Sequence, residues 1–147
     1  MPAKKSNVKI LSSYMDEIYR VDQHAKIMRK LTRSLSRRRF DAIAFTGTSG
    51  AAVAYPLSLR LKKPLICVRK EKAHSDRKVE GAYGAKNYII VDDFISSGRS
   101  NDRIRRAVKA AYTQAKYPEP KCVGIYLYRE ELADPRKDYA GIPVRKL

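Results

Sequence analysis

Short apolar runs alternate along this chain with longer stretches in which apolar and polar residues recur at helical spacing. The apolar runs are rich in β-branched and aromatic residues, as buried strands are, and they occupy residues 41–46, 64–68, 87–92 and 122–128. The helical patterns cover residues 22–36, 51–61 and 101–116. Strands that alternate with helices predict an α/β fold, in which a mostly parallel central sheet is covered by helices on both faces.

Proline, glycine and charge mark the segments around these elements. Pro56 should kink or interrupt the helix at 51–61, since proline has no N–H to donate. Residues 69–86 are polar and charged and contain two glycines, so we expect an exposed, mobile loop. The alternation stops after residue 129, where turn-forming residues predict a tail. Near the amino terminus, apolar residues indicate a short strand or extended segment: Val8, Ile10 and Leu11.

A chain of 147 residues with 44% hydrophobic content is long enough to bury one core, so we expect a single domain over residues 1–147. No apolar run approaches the about 20 residues that cross a bilayer, and the basic amino terminus lacks the apolar segment of a signal peptide. We therefore expect a soluble, cytoplasmic protein without membrane contact. Cys67 and Cys122 lie in apolar, strand-like runs, which favours buried, reduced thiols over a disulfide or a zinc site.

Positive charge is the unusual feature of the composition. The chain has 32 Lys and Arg against 15 Asp and Glu, which gives a net charge of +17 and a pI near 10.1. So basic a domain points to an anionic partner, either nucleic acid or a small, highly charged ligand. The basic face of the helix at 22–36 could meet nucleic acid, although a solvated helix that covers the sheet is the more common arrangement. His24, near the start of that helix, is interpreted as a surface or capping residue.

The run YIIVDDFISSGRS, residues 88–100, carries the strongest candidate chemistry. Asp92 and Asp93 follow the apolar strand directly, and the loop after them leads into the helix at 101–116. Backbone N–H groups at a helix start have no internal partner, so this loop could bind a phosphate. The Asp pair could accept hydrogen bonds from two vicinal hydroxyls or help to hold Mg²⁺. Diol, metal and phosphate together describe a phosphorylated ribose; the plainer alternative is a surface turn with a serine N-cap.

The segment VDDFISSGRS resembles the 5-phosphoribosyl-1-pyrophosphate (PRPP) motif of the type I phosphoribosyltransferases, in which two acids after a hydrophobic strand precede small hydroxyl residues around a glycine. Phe94 is bulkier than the aliphatic residue usual in the family, and serines replace the more frequent threonines at 97 and 100. The resemblance implies that Asp92 and Asp93 hold the ribose hydroxyls and, directly or indirectly, Mg²⁺. It also implies that the loop after them binds PRPP and wraps its 5-phosphate, through Phe94, Ile95, Ser96, Ser97, Gly98, Arg99 and Ser100.

Two further loops follow predicted strands. Taken alone, the sequence of the first, TGTSG, favours an ordinary strand-to-helix turn, and that of the second, RKEKAH, favours a solvated, charged loop. TGTSG has small residues that let the backbone approach a ligand closely. In the family this position contacts pyrophosphate, which implicates Thr46, Gly47, Thr48, Ser49 and Gly50. Ser49 stands where Lys or Arg is frequent. RKEKAH is similar to the catalytic lid of orotate phosphoribosyltransferases, with one residue rather than two between its second and third cations. This likeness implies pyrophosphate-binding and catalytic roles for Arg69, Lys70, Lys72 and His74.

The carboxyl ends of parallel strands meet at one edge of a sheet, so these three loops should converge. By resemblance, the chain is expected to transfer the phosphoribosyl group of PRPP to orotate or a purine, with Mg²⁺ as cofactor and as a homodimer. A small hood from the segments before residue 22 and after residue 129 would select the base. Tyrosines could stack on that base, although tyrosines are more often structural: Tyr14, Tyr19, Tyr126 and Tyr139. The competing class is a catalytically weak or silent relative that binds nucleic acid through its basic surface.

Overall fold

Helices and strands alternate through most of the chain in a computed structural model that describes residues 8–12, 15–70, 77–93, 99–129 and 138–147. The helices are α1 (Asp16–Tyr19), α2 (Val21–Leu35), α3 (Gly47–Leu61) and α4 (Arg99–Gln114). The strands are β1 (Ala42–Thr46), β2 (Leu65–Val68), β3 (Val79–Gly81), β4 (Asn87–Asp92), β5 (Lys121–Leu127), β6 (Asp138–Tyr139) and β7 (Ile142–Lys146). No helix among these residues is long and apolar enough to cross a bilayer.

The strands lie side by side in the order β3-β2-β1-β4-β5-β7-β6. Five of them, from β2 through β7, pair in parallel, whereas β3 and β6 pair in antiparallel fashion at the two ends. The predicted α/β fold is therefore confirmed. β2, the next strand after β1, pairs with one edge of β1, and β4 pairs with its other edge. The order of the strands therefore reverses direction between β1 and β4. In parallel sheets such a change of direction opens a crevice at the carboxyl ends of the two strands, where ligands bind.

Both faces of the sheet are covered, as predicted. Alternate residues of a strand point to opposite faces, so Ile43 and Ala44 of β1 belong to different apolar clusters. On one face, buried residues of α2 and α3 pack against the sheet, among them Leu31 and Leu57, each with 0% exposure. On the other face α4 packs through residues such as Ile104. Full burial of each such side chain stabilises the fold by about 1.5–3 kcal/mol.

Helix α3 differs from the prediction in two ways. It begins at Gly47, so the residues interpreted as a loop form its first turn. It also passes through Pro56 without a break, although proline cannot donate to the carbonyl four residues earlier, that of Ala52. His24 of α2 lies 3.0 Å from this carbonyl through Nε2, which therefore carries the proton and donates the missing hydrogen bond. The predicted interruption at Pro56 is therefore wrong, and a neighbouring helix supplies the donor that proline lacks.

The segment predicted as a mobile loop after β2 contains an edge strand. β3 pairs with β2 in antiparallel fashion, with Val79 opposite Val68 and Gly81 opposite Ile66. Gly81 has φ +114°, and a Cβ there would lie 2.0 Å from the Leu65 carbonyl oxygen. Only glycine fits this close approach of two backbones.

The predicted tail also joins the sheet. β7 pairs in parallel with β5, with Val144 opposite Ile125, and both Ile142 and Val144 are buried. These residues therefore extend the sheet. Residues 130–137, which the expected hood would also include, lie outside the described residues, so the hood stays a prediction. At the other end, residues 8–12 have no regular structure, and Val8 and Leu11 are exposed.

Candidate active site

Two carboxylates lie at the crevice where the sheet changes direction. Asp92 ends β4 and Asp93 follows it, and their side chains are only 5% and 4% exposed. Asp92 Oδ1 accepts hydrogen bonds from the Asp93 backbone N–H at 2.9 Å and from Ser49 Oγ at 3.3 Å. Asp92 thus contacts the first turn of α3 through Ser49, as its placement at a strand end led us to expect.

Burial determines the electrostatics of this pair. Removal from water raises the pKa of the Asp92 carboxyl, because the charged form loses hydration, and the negative charge of Asp93 raises it further. The hydrogen bonds from the Asp93 backbone and from Ser49 act in the opposite direction. Two adjacent buried carboxylates therefore favour a cation or hydroxyl donors as neighbours.

A cation lies against the start of α3, the same turn that contacts Asp92. Gly47, the first residue of α3, has φ +67°, and a Cβ built on it would lie 2.9 Å from Lys70 Nζ. The ammonium group therefore lies against the first turn of α3, where backbone N–H groups have no partner within the helix. Arg69 forms an ion pair elsewhere, since its Nη1 lies 3.4 Å from Oε2 of Glu80 on β3. Lys70 and the amides of α3 form a site suited to an anion.

Two other residues of TGTSG, Thr46 and Gly50, hold the start of α3 in place. Thr46 is buried, and its Oγ1 donates to the Val68 carbonyl oxygen at 2.7 Å, which joins the ends of β1 and β2. A Cβ on Gly50 would lie 3.0 Å from Phe45 Cβ and 3.3 Å from the Val91 carbonyl oxygen. The absence of a side chain at Gly50 lets α3 approach both central strands. Thr48 is exposed on the outer side of this turn.

The structure thus brings together parts of all three predicted loops: residues 46–50, 69–70 and 92–93. Arg99 and Ser100 form the first turn of α4. The other candidates lie outside the described residues: Lys72, His74, Phe94, Ile95, Ser96, Ser97 and Gly98. The individual roles of all these residues stay predictions.

Two contributors were missed by sequence reasoning, Tyr128 and Arg129, which follow β5. Their backbone N–H groups donate to the carbonyls of Asp92 and Asp93, at 3.2 and 2.9 Å. Tyr128 Oη donates to the Ser49 carbonyl oxygen at 2.7 Å, which ties the turn of α3 to β5. Their position directly after a central strand was a signal, since the carboxyl end of β5 borders that of β4.

The tyrosines considered for base stacking divide differently. Tyr126 is 4% exposed and lies within the core under α2 and α3. Tyr139 Oη donates to Asp102 Oδ2 at 3.0 Å, in the first turn of α4. Tyr19 is 53% exposed, and Tyr14 lies outside the described residues. Tyr126 is therefore part of the core, whereas the roles of the other three tyrosines stay predictions.

The carboxylate pair also bears on a magnesium site. Among the described residues no group of three or more His, Cys, Asp or Glu could enclose a metal ion. Mg²⁺, however, is usually bound through one or two carboxylates together with substrate phosphates, and it keeps several waters. Asp92 and Asp93 fit such a shared site.

Searches against known proteins gave relatives of one kind. No family model matches the chain. It is 33% identical to an orotate phosphoribosyltransferase of Archaeoglobus fulgidus over 98 residues, which are 64% of this chain and 51% of the relative. It is 29% identical to that of Staphylothermus marinus over 143 residues, 96% of this chain and 65% of the relative. The chain spans about half the length of the curated relatives it matches.

Solved structures show the same fold. An orotate phosphoribosyltransferase from Aeropyrum pernix superposes with a TM-score of 0.65 at 16% identity, over 95% of this chain and 78% of that one. An adenine phosphoribosyltransferase from Thermoanaerobacter pseudethanolicus gives 0.61 at 18% identity, over 97% and 89%. The orotate phosphoribosyltransferase of Mycobacterium tuberculosis in complex with PRPP gives 0.63 at 14% identity, over 89% and 75%.

Proposed function

This chain belongs to the type I phosphoribosyltransferase family, and on that premise we propose that it transfers the 5-phosphoribosyl group of PRPP to a nitrogenous base. The products are pyrophosphate and a nucleoside 5′-monophosphate. The observation that carries this proposal is the buried pair Asp92 and Asp93 at the end of β4. Asp92 accepts a hydrogen bond from Ser49 in the first turn of α3, and the Lys70 ammonium group lies against Gly47 of the same turn. Orotate is the first base to test, because the relatives in sequence are named for it. Purines remain the second choice.

The carboxylate pair would hold the ribose. Ionised carboxylates are acceptors only, so Asp92 and Asp93 can take hydrogen bonds from two vicinal hydroxyls. Mg²⁺, when bound between these carboxylates and PRPP, would neutralise phosphate charge and orient the leaving pyrophosphate. Ser49 donates to Asp92 and thereby fixes the orientation of its carboxylate. Negative charge beneath the ribose also stabilises the positive charge that develops on the ring during displacement.

The pyrophosphate would lie at the start of α3. The free N–H groups of this turn and the helix dipole favour an anion, and the Lys70 ammonium group beside Gly47 adds a full positive charge. Negative charge increases on the pyrophosphate as its bond to the ribose breaks, so these groups bind the transition state more strongly than PRPP itself. Lys72 and His74, in the lid, would add further groups that bind the pyrophosphate. The 5-phosphate would lie across residues 96–100, against the start of α4.

No nucleophile from the protein is required, because the base itself attacks the anomeric carbon. The residues act by position and by charge: they hold the two reactants in line and exclude water. The carboxylate pair is therefore the feature whose loss should be most damaging.

The test measures nucleotide formation from PRPP and Mg²⁺ with orotate, adenine, guanine and hypoxanthine. Asp92→Asn and Asp93→Asn should each lower kcat/KM by at least about a hundredfold, because a neutral amide cannot replace a charged acceptor. Asp22→Asn, the same change at an exposed position of α2, is the matched control and should leave turnover unchanged. Circular dichroism would show that all variants are folded. Turnover of both site variants at the wild-type rate, or no nucleotide from any base, would contradict the proposal.

A further inference from the structure

A second concave surface lies along α4, and the candidate active site accounts for none of it beyond Arg99. It is a groove of about 1280 Å³ between α4 and the segment that leads into β3. Small apolar side chains line its floor, among them Ala107, Ala110 and Ala111. Five cations line it as well: Arg77, Lys78, Arg99, Arg103 and Arg106. We call this surface the α4 groove.

Among the described residues, little negative charge offsets Arg103 and Arg106. Asp102 also lines the α4 groove, but its Oδ1 accepts from Arg105 Nη2 at 2.8 Å and its Oδ2 accepts from Tyr139 Oη at 3.0 Å. Arg103 and Arg106 are exposed, and neither has an ion-pair partner in the part of the chain that the structure describes. Lys109, on the same helix, does have one, since its Nζ lies 3.6 Å from Glu119 Oε2. Arg103 and Arg106 therefore repel one another unless an anion lies between them.

The length of the α4 groove selects among anions. Its lining residues run along α4 from Arg99 to Ala115, which is about 24 Å at 1.5 Å per residue. One phosphate would use one end of such a surface. A single strand of nucleic acid, at about 3.4 Å per stacked nucleotide, would fill it with several phosphates in a row.

The floor of the α4 groove suits bases. Proteins that bind single strands combine a basic groove for the backbone with apolar or aromatic groups for the bases. Tyr83 contributes an aromatic ring to the lining, and this ring is fixed by stacking on Tyr112 with centroids 5.1 Å apart. A second copy of this chain is a poor occupant, because a symmetric contact would place one row of cations against its equal.

We propose that the α4 groove binds single-stranded nucleic acid. The phosphates lie along Arg103 and Arg106, and the bases lie over the alanine floor and Tyr83. This site does not depend on the transferase proposal, because it lies on the α4 face of the sheet and uses the length of the helix rather than the carboxylate pair.

The test is fluorescence anisotropy of a labelled single strand of mixed sequence, about 20 nucleotides long, as RNA and as DNA. The full chain would be titrated at several salt concentrations. In single strands the logarithm of the binding constant falls with log salt by about 0.7 per phosphate contact. The double variant Arg103→Gln/Arg106→Gln should therefore reduce this slope by about 1.4 and weaken binding at least about tenfold at physiological salt. Binding of either strand supports the proposal, and the ratio of the two binding constants shows whether RNA or DNA is preferred.

The matched control is Arg29→Gln/Arg33→Gln, which removes the same charge from exposed arginines of α2 on the opposite face. It should keep affinity within about twofold of the wild type. Equal weakening by both double variants would overturn the proposal in favour of diffuse charge. So would absence of wild-type binding at physiological salt, or equally effective competition by polyglutamate or by duplex DNA. Nucleotide formation from PRPP, measured on the groove variant, should stay at the wild-type level, so failure of one activity is distinguishable from failure of the other.

Discussion

Asp92 is buried beside a second carboxylate although burial opposes its charge. Because its pKa is raised in the folded protein, the native state binds this proton more tightly than the unfolded chain does. Protonation of Asp92 therefore adds to the free energy of unfolding. This contribution is fully present below the ordinary pKa of Asp, and it is lost as the pH rises through the higher pKa of the folded protein. Such a residue weakens the free protein at neutral pH and is useful only when a ligand compensates its charge.

Replacement of Asp92 by Asn should therefore stabilise the free protein while it removes activity. At pH 8, without PRPP or divalent metal, we expect Asp92→Asn to raise the free energy of unfolding by on the order of 1–3 kcal/mol. The difference should vanish below about pH 4. Urea denaturation across this pH range measures both.

Asp41→Asn is the comparison of opposite sign. Hydrogen bonds from the Lys86 and Asn87 backbone N–H groups lower the pKa of Asp41. Its charge therefore adds stability above the ordinary pKa of Asp and loses it as the pH falls, so Asp41→Asn should destabilise at neutral pH. An Asp92→Asn protein that is less stable than the wild type at pH 8 would show that the burial argument is wrong.

Gly47 has both a positive φ and a close neighbour, whereas Gly141 has only the positive φ. Gly47 and Gly141 have φ +67° and +78°, so alanine at either position should cost about 1 kcal/mol of backbone strain. Only at Gly47 would the new methyl meet another group, Lys70 Nζ, whereas nothing lies within 4 Å at Gly141. We expect Gly47→Ala to raise the KM for PRPP several-fold by displacing the Lys70 ammonium group. Gly141→Ala should lose similar stability, with an unchanged KM for PRPP. If the two variants have the same KM for PRPP, Lys70 does not bind the pyrophosphate.

Among the elements, α3 depends on α2 for its continuity. Pro56 leaves the Ala52 carbonyl without its usual donor, and His24 of α2 replaces it at 3.0 Å. The same contact joins the two helices that cover one face of the sheet. It also holds the middle of α3, whose first turn borders the carboxylate pair.

This contact can be tested with a double-mutant cycle. His24→Ala should lower the free energy of unfolding by about 1 kcal/mol, because the Ala52 carbonyl loses its partner. In a Pro56→Ala background the N–H of residue 56 can donate instead, so the same change should cost less than half as much. Urea denaturation of the four proteins gives the coupling, and Gln23→Ala, at the exposed neighbouring position, controls for loss of side chain on α2. Equal cost in both backgrounds would contradict this account.

For the whole molecule, the central strands link the two faces. β1 gives Ile43 to the cluster under α3 and Ala44 to the cluster under α4, so neither cluster can form without the same strand. Domains of this size with shared strands usually unfold in one cooperative step. The α4 groove and the candidate active site should therefore be lost together.

Two leucines of α3 provide a matched test of this cooperativity. Leu57 has 0% exposure and Leu59 has 82%. Leu57→Ala should cost about 2–5 kcal/mol and Leu59→Ala almost nothing. Ile104→Ala, on the other face, should shift the same single transition when tyrosine fluorescence and circular dichroism are followed together. Separate transitions for the two faces would show that they fold independently.

The sequence by itself determined four of the five parallel strands, the main helices and the position of the Asp pair. Each of these depends on local pattern. A buried strand such as residues 87–92 is apolar over its whole length, an amphipathic helix repeats its apolar residues, and the phosphoribosyl motif lies within ten consecutive residues. The crevice followed from these elements because the carboxyl ends of parallel strands meet at one edge.

Tertiary structure alone decided the features whose partners lie far apart in the chain. β3 and β7 are short edge strands, and pairing with β2 and β5 rather than their own pattern stabilises them. Ser49 reaches Asp92 across 43 positions, and His24 reaches Ala52 across 28. No local periodicity records such contacts. They exist because the sheet brings distant backbone groups and side chains within hydrogen-bonding distance. The same packing places Arg77 and Lys78 beside the arginines of α4.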